Sequence, residues 1–504
     1  MVVVLGVALH LLACGEAVER PSKPAGSAIW AAPADLAALP VEERDALRAA
    51  GVREAFLEAG RLAEASAEIV PTLSGLDAVA AARLPVTLVV GGVWDAPEDG
   101  ETAGATLAAG LRRLRLFAEE AGVTVVGYHL DLVPPADRDA FERYAAALAT
   151  TAAGIDRRLF LSVSLDAESL GAAGAQRVAG AVDFVVAFLY GPRSDDGPGP
   201  EGDAAWNLTA LDDRFARLAD LELPFLVGVG TVGQMSHLDR EGNPVAVTSR
   251  GNLPRLFGRR GLGLPRTSVL DVLDRQSYRL QAERALSVGD WRLAAGDWLL
   301  VTRLSSYHLS RLGEQAAGAE GYLGLLFHRL RREGEDLALS ALALAGAASG
   351  GTTTELVVEV EPTGRGNVPF RVGVANRGAQ PTEVAFIGSN YVEVRALDGA
   401  AFADVAVGSF RRYDLEHEGR RVDNMRALAQ ADVLKLYVPL LEPGDGATSG
   451  AISLRGAARQ GAVIELSGSF VLPGGEVLDL PPRRWPLPAP DAAAQGAAAT
   501  AFAP

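Results

Sequence analysis

Over the first two thirds of the chain the spacing of hydrophobic positions switches repeatedly. Short β-branched runs alternate with longer stretches in which apolar residues recur every three or four positions. The runs at 28–32, 54–57, 86–92, 123–133, 159–165, 183–189, 225–229 and 322–327 predict strands. Helices are predicted at 40–50, 103–121, 137–153, 174–181, 206–220, 268–286 and 336–345. In the second of these, Leu107, Leu111, Leu114, Phe117 and Ala121 form one stripe. Such alternation over residues 28–348 predicts a (β/α)8 barrel of the TIM type.

Three segments interrupt the alternation. Residues 191–205 follow the sixth strand and are rich in Gly, Pro and acid; they read as a mobile loop, because calcium loops need tighter ligand spacing. Residues 235–263 follow the seventh strand and carry a turn at 239–243. Residues 288–302 hold Trp291 and Trp298 and read as a hairpin. Beyond a Gly/Ser/Thr linker at 349–353 the period becomes two. Strands are predicted at 356–360, 370–375, 383–387, 391–396, 433–438 and 463–471, giving a β-sandwich over 354–485 and a disordered Ala/Pro-rich tail over 486–504. A linker in that place predicts a barrel that folds on its own.

The fourth strand, residues 123–133, turns from apolar to polar along one face. Alternation places Val125, Gly127, His129 and Asp131 together, opposite Val126, Tyr128 and Leu130. A carboxylate at the C-terminal end of a barrel strand lies where such folds build their sites. Its other reading is a helix cap or an arginine partner. Asp166 shares parity with Ser162 and Ser164 and is expected beside Asp131; Glu58 ends the second strand. Hydrolysis of a glycosidic bond needs two carboxyl groups, so Asp131, Asp166 and Glu58 are the candidate catalytic residues. His129, Tyr190, Trp94, Asp95 and Glu168 are candidates for holding substrate, with Trp94 as a sugar-stacking face. Asp95 and Asp166 also read as helix N-caps, Trp94 as core and Tyr190 as a barrel closure.

Charge and cysteine usage narrow the partners. A net charge of −16 excludes broad neutralisation of nucleic-acid phosphates. The single cysteine, Cys14, excludes a disulfide framework or a zinc cluster. His129 and Asp131 without a second histidine pair do not make a metal site, and no nucleotide-binding or dinucleotide fingerprint stands in a supporting context, so neither metal nor cofactor is expected. Residues 1–14 form an apolar run of signal-peptide length ending Leu11-Leu12-Ala13-Cys14. This resembles a bacterial lipobox, although no Lys or Arg precedes Cys14. The resemblance implies an exported protein, lipid-anchored in the cell envelope at Cys14, with residues 15–27 as tether. The other reading is a buried N-terminal strand of a cytosolic protein.

The seventh strand carries no carboxylate, which argues against the retaining glycosidases that use glutamates after strands four and seven. The fourth strand resembles the catalytic strand of the chitinase family, Asp-Gly-x-Asp-x-Asp-x-Glu: Gly127 and Asp131 match, but Val133 stands at the acid position. The chain also resembles an uncharacterised bacterial barrel family, domain of unknown function three-one-four-two, whose strand reads Gly-x-Gln-x-Asp-x-Asp. Here His129 replaces the glutamine and Val133 the last aspartate. That resemblance implies a glycosidase-like fold without a known reaction. Two functions follow: a hydrolase of envelope polysaccharide using the mouth carboxylates, or a glycan-binding or scaffold lipoprotein with a degenerate site.

Overall fold

The computed structural model describes residues 23–487 apart from 97, 136, 167–171, 189–207, 252–255, 257–258, 264–265, 268–275, 304, 336, 352, 364–368, 385–387, 423–429, 457–461 and 474. Cys14, Glu168, Tyr190 and the 191–205 insertion lie outside the described residues. Parallel strands β1 (Ser27–Ala31), β2 (Val52–Leu62), β3 (Val86–Val93), β4 (Val125–Val133), β5 (Phe160–Asp166), β6 (Phe184–Phe188), β7 (Phe225–Gly230) and β8 (Tyr322–His328) follow one another in the sheet, and β8 and β2 both pair with β1, closing the barrel. All eight predicted strands are present. A short strand, Ile69–Pro71, pairs antiparallel with the end of β2, Gly60–Leu62.

Two apolar layers hold the barrel. Outward residues such as Leu57, Leu88, Leu130 and Val227 pack under helices Gly100–Glu120, Arg138–Gly154 and Ala341–Ala348. Inward residues Trp30, Phe56, Val89, Phe184, Val186 and Leu226 fill the interior. Alternation on β4 fails at its start. Val125 pairs with Val86, but the next residue of β3, Thr87, pairs with Gly127. The extra residue Val126 is a bulge, so Val125 joins the outer layer and only Gly127, His129 and Asp131 face inward.

The bottom of the barrel is closed by the chain ahead of β1. Lys23 forms a buried ion pair with Glu54, which also accepts from Thr87 Oγ1 at 2.8 Å. The ammonium lies 4.4 Å from the Phe184 ring centroid and 5.3 Å from that of Phe160. Lys23, expected within a tether over 15–27, therefore belongs to the barrel.

Residues after β7 build a sheet of their own. Gln234–Leu238, Pro244–Thr248, Arg266–Thr267, Gln276–Gln281 and Trp298–Arg303 make an antiparallel five-stranded sheet. The predicted turn is present, with Asp239 N donating to Asn243 O at 2.9 Å. The helix expected at 268–286 is wrong where it is described. Tyr278 and Leu280 are buried while Arg279 between them is exposed, which is a strand period, and Gln276–Gln281 pairs with Trp298–Arg303. Helix Ser306–Ala316 was not predicted, and the helix expected at 336–345 is Ala341–Ala348, capped by Ser340.

The C-terminal region is a β-sandwich. One sheet runs β9 (Leu356–Pro362), β10 (Phe370–Asn376), Ile452–Arg455, Ala401–Val405; the other ends in Ala462–Val471 and Val477–Leu487. Its core is separate from that of the barrel. The strand predicted at 383–387 is absent at Glu383 and Val384, and 385–387 lie outside the described residues. The last strand runs to Leu487, one residue past the expected start of the tail at 486.

Residues 349–351 and 353 do not hang free. Ala379 N donates to Thr353 O at 2.9 Å, and Ser340 Oγ donates to Pro443 O at 3.3 Å. Gln380 Nε2 donates to Ser310 Oγ at 3.2 Å, and Ala379 packs so closely on Gly346 that a Cβ there would stand 2.2 Å from its carbonyl oxygen. Leu440 and Val384 pack into the core of the inserted sheet. A fragment of residues 26–348 would expose these contacts to water. It is expected to melt below the barrel of the whole chain and to aggregate on heating; equal melting by calorimetry would show that the barrel is independent after all.

Candidate active site

The mouth is built from inward positions at the C-terminal ends of the strands. Asp131 on β4 and Ser164 on β5 are neighbours, because Leu130 pairs with Val163 one step below. Ser164 Oγ donates to Asp131 Oδ1 at 2.6 Å. The same hydroxyl lies 2.9 Å from His129 Nε2, and His129 Nδ1 lies 2.9 Å from Ser162 Oγ. Asp131 is half-buried, whereas His129 is fully buried.

Glu58 stands on β2, two strands from Asp131. Trp30 Nε1 donates to its Oε1 at 3.1 Å, and Arg332 Nη2 lies 3.8 Å from the same oxygen. Its side chain is 40% exposed, so it is open to solvent at the mouth. The strand between the two carboxylates, β3, presents Gly91, which pairs with Asp131. Glu58 itself pairs with Val89, and Gly91 pairs with Arg61, so Glu58 sits one inward step below Asp131. A Cβ added to Gly91 would stand 3.8 Å from the Asp131 carbonyl oxygen and 4.0 Å from its Oδ2, in ordinary contact.

An aromatic floor lies beneath. Trp30 sits 5.0 Å from His328, 5.6 Å from His129 and 6.1 Å from Phe188, centroid to centroid. Phe188 lies over Gly228, where a Cβ would meet its ring at 2.3 Å. One wall is charged. Arg329 donates to both oxygens of Glu335, at 2.6 and 2.8 Å, and Arg332 Nε donates to Asp35 at 3.1 Å. Burial raises the Glu335 pKa, but the bonds from Arg329 and the Arg332 N–H outweigh it and leave the carboxyl below its usual range. Val93 and Val133 pair at the rim and are 59% and 57% exposed.

Several sequence expectations change here. Trp94 is buried against Tyr144, with centroids 5.3 Å apart, and packs in the outer layer, so it offers no sugar-stacking face. Asp95 accepts from Ala65 N at 3.1 Å through both oxygens; it ties down the turn after β2, and the helix cap is Asp99 instead. His129 lies below the mouth, fully buried and bonded to Ser162 and Ser164. The backbone of Asp166 ends β5, but its side chain lies outside the description. Trp30, Ser164, Phe188, His328 and Arg332 were missed. Parity would have found Ser164, which shares the face named for Asp166. The others depend on barrel closure, which brings β8 and β1 together.

The fold and the mouth define a class: a (β/α)8 barrel with carboxylates over an aromatic floor at its C-terminal face, followed by a β-sandwich. No model of a known protein family matches the chain. No curated protein matches it. Among solved structures it is similar to a chitinase from Chromobacterium violaceum, at 13% identity over 65% of this chain and 98% of that one, with a TM-score of 0.43. It is also similar to a spore cortex-lytic enzyme of Bacillus megaterium, at 13% identity over 66% of this chain and 75% of that one, TM-score 0.42. A chitinase from the chitin utilization locus of Flavobacterium johnsoniae matches at 11% identity over 61% and 88%, TM-score 0.36.

Proposed function

We propose that the barrel is a glycoside hydrolase acting on a polysaccharide of the bacterial cell envelope, with Asp131 and Glu58 as its carboxyl pair. The observation that carries this reading is the pair of inward carboxylates, each held by a hydrogen bond, above an aromatic floor. Their strands are two spacings apart, roughly 10 Å between backbones, and Glu58 lies one inward step below Asp131. That leaves room for a sugar and a water, the arrangement of inverting glycosidases, where one carboxyl protonates the leaving oxygen and the other activates water. Trp30 and Ser164 hold the two carboxylates in place, which shortens the search for a productive pose. Release of reducing ends from envelope polysaccharide by the purified protein, absent in Asp131→Asn, tests the proposal.

A second reading is favoured by Val133. At the rim position where the chitinase strand has its acid, this chain has an exposed valine beside Val93. An apolar pair suits the C–H face of a sugar and supplies no proton. On that reading the mouth binds glycan without cleaving it, and binding survives Asp131→Asn by calorimetric titration. The likeness of β4 to the uncharacterised bacterial family is compatible with either.

We also propose export and lipidation at Cys14, on the lipobox Leu11-Leu12-Ala13-Cys14. Cells given labelled palmitate are expected to label the wild type and leave Cys14→Ser unlabelled. Equal labelling would overturn the anchor and, with it, the envelope as the site of action.

A further inference from the structure

We propose that His129 is a positioning residue for Asp131, acting through the Ser164 hydroxyl and holding the proton that would otherwise neutralise the carboxylate. This rests on the reading of Asp131 as a working carboxylate of the mouth.

The inference comes from counting protons along Ser162, His129, Ser164 and Asp131. Three short contacts join them, of 2.9, 2.9 and 2.6 Å. Each serine hydroxyl has one proton to give, and a neutral imidazole has one. With Asp131 ionised, an imidazole proton on Nδ1 would leave Nε2 and Asp131 both needing the single proton of Ser164, and one contact would be lost. With the proton on Nε2 all three of these contacts are made. Ser162 donates to Nδ1, Nε2–H donates to Ser164, and Ser164 donates to Asp131. All the donors then point towards the carboxylate.

The same geometry has room for one more proton. Ser162 Oγ also lies 3.3 Å from the Tyr128 carbonyl oxygen. When its hydroxyl turns to that carbonyl, Nδ1 becomes a donor to Ser162 and the imidazole becomes a cation, with no contact broken. A fully buried imidazolium needs a negative partner, and Asp131 supplies it across one hydroxyl. The other titratable or charged groups at inward positions among the described residues are Glu54, Glu58 and the exposed Arg61 on β2 and His328 on β8. Glu54 is already paired with Lys23, Glu58 is turned to Trp30 and Arg332, and His328 lies beyond the Trp30 ring. On acidification the added proton goes to His129 and Asp131 stays ionised, so the pair titrates as one unit.

The test uses the full chain with nitrogen-15-labelled histidine, followed by long-range proton–nitrogen spectra from about pH 8 to about pH 5. His129 is assigned by its loss in His129→Gln. The expected result is an Nε2–H tautomer at the upper end and a protonation midpoint that falls by about one pH unit in Asp131→Asn. Ser164→Ala is expected to lower it in the same direction and to add nothing once Asp131→Asn is present, while Ser164→Thr, which keeps the hydroxyl, restores it. An Nδ1–H tautomer, a ring that stays neutral in every form, or a midpoint unmoved by Ser164→Ala would overturn the proposal. In hydrolysis the acid limb of the pH profile should move with Ser164→Ala and return with Ser164→Thr. Coupled titration without any hydrolysis would sink the catalytic reading and leave this one standing.

Discussion

Asp131→Asn is expected to reduce hydrolysis on the order of a thousandfold while leaving the melting temperature nearly unchanged. The substitution is close to isosteric, and the Ser164 hydroxyl at 2.6 Å can donate to an amide oxygen as well as to a carboxylate oxygen. What is lost is the capacity to take or give a proton, which is worth roughly two to four orders of magnitude when the group is positioned. Glu58→Gln should cost a comparable factor, because the two carboxyls act on opposite sides of one bond. The variants therefore separate the two readings of the mouth. If both retain full hydrolysis, Asp131 and Glu58 are not the pair. If neither variant nor wild type releases reducing ends but all bind glycan, the mouth is a binding site and the rim pair Val93 and Val133 becomes the place to look.

Lys23→Ala is expected to lower the melting temperature of the barrel by several degrees, roughly 5–10 °C. The side chains of Lys23 and Glu54 are only 5% and 8% exposed. Removing the ammonium strands a carboxylate at the barrel bottom, a change that costs about 3 kcal/mol or more. Glu54 would keep its bond from Thr87, and the rings of Phe160 and Phe184 would lose a cation. Lys23→Met combined with Glu54→Gln should recover much of the loss, since a neutral pair leaves no buried charge unmatched. A single variant as stable as the wild type would mean that the segment before β1 is only a tether, as its sequence suggested. Activity measured well below the transition should not change, because Lys23 lies at the end of the barrel opposite the mouth.

The legible part of the site was the part carried by one strand. Asp131 could be named from period-two alternation and its position near the strand end; Glu58 follows from alternation alone, because β2 runs on to Leu62 past the expected end at 57. The misreadings have the same origin. Trp94 and Asp95 follow the last residue of β3, where alternation no longer says which way a side chain points. Trp94 turned outward onto Tyr144, and Asp95 turned back to the Ala65 N–H. Val125 was assigned to the wrong face because a single-residue bulge inverts parity, and a bulge is set by the neighbouring strand.

The sequence by itself determined the barrel strands and their order, the strand character of the C-terminal region and the inward face of β4 beyond its bulge. These follow from local spacing, which each segment carries alone. Only the tertiary structure decided that Lys23 belongs to the barrel, that 276–281 is a strand, and that the sandwich packs against helix Ala341–Ala348 and the inserted sheet. Only it brought Trp30 to Glu58 and Ser164 between His129 and Asp131. Those contacts join residues far apart in the chain, and they exist because closure of the sheet sets neighbouring strands in one register.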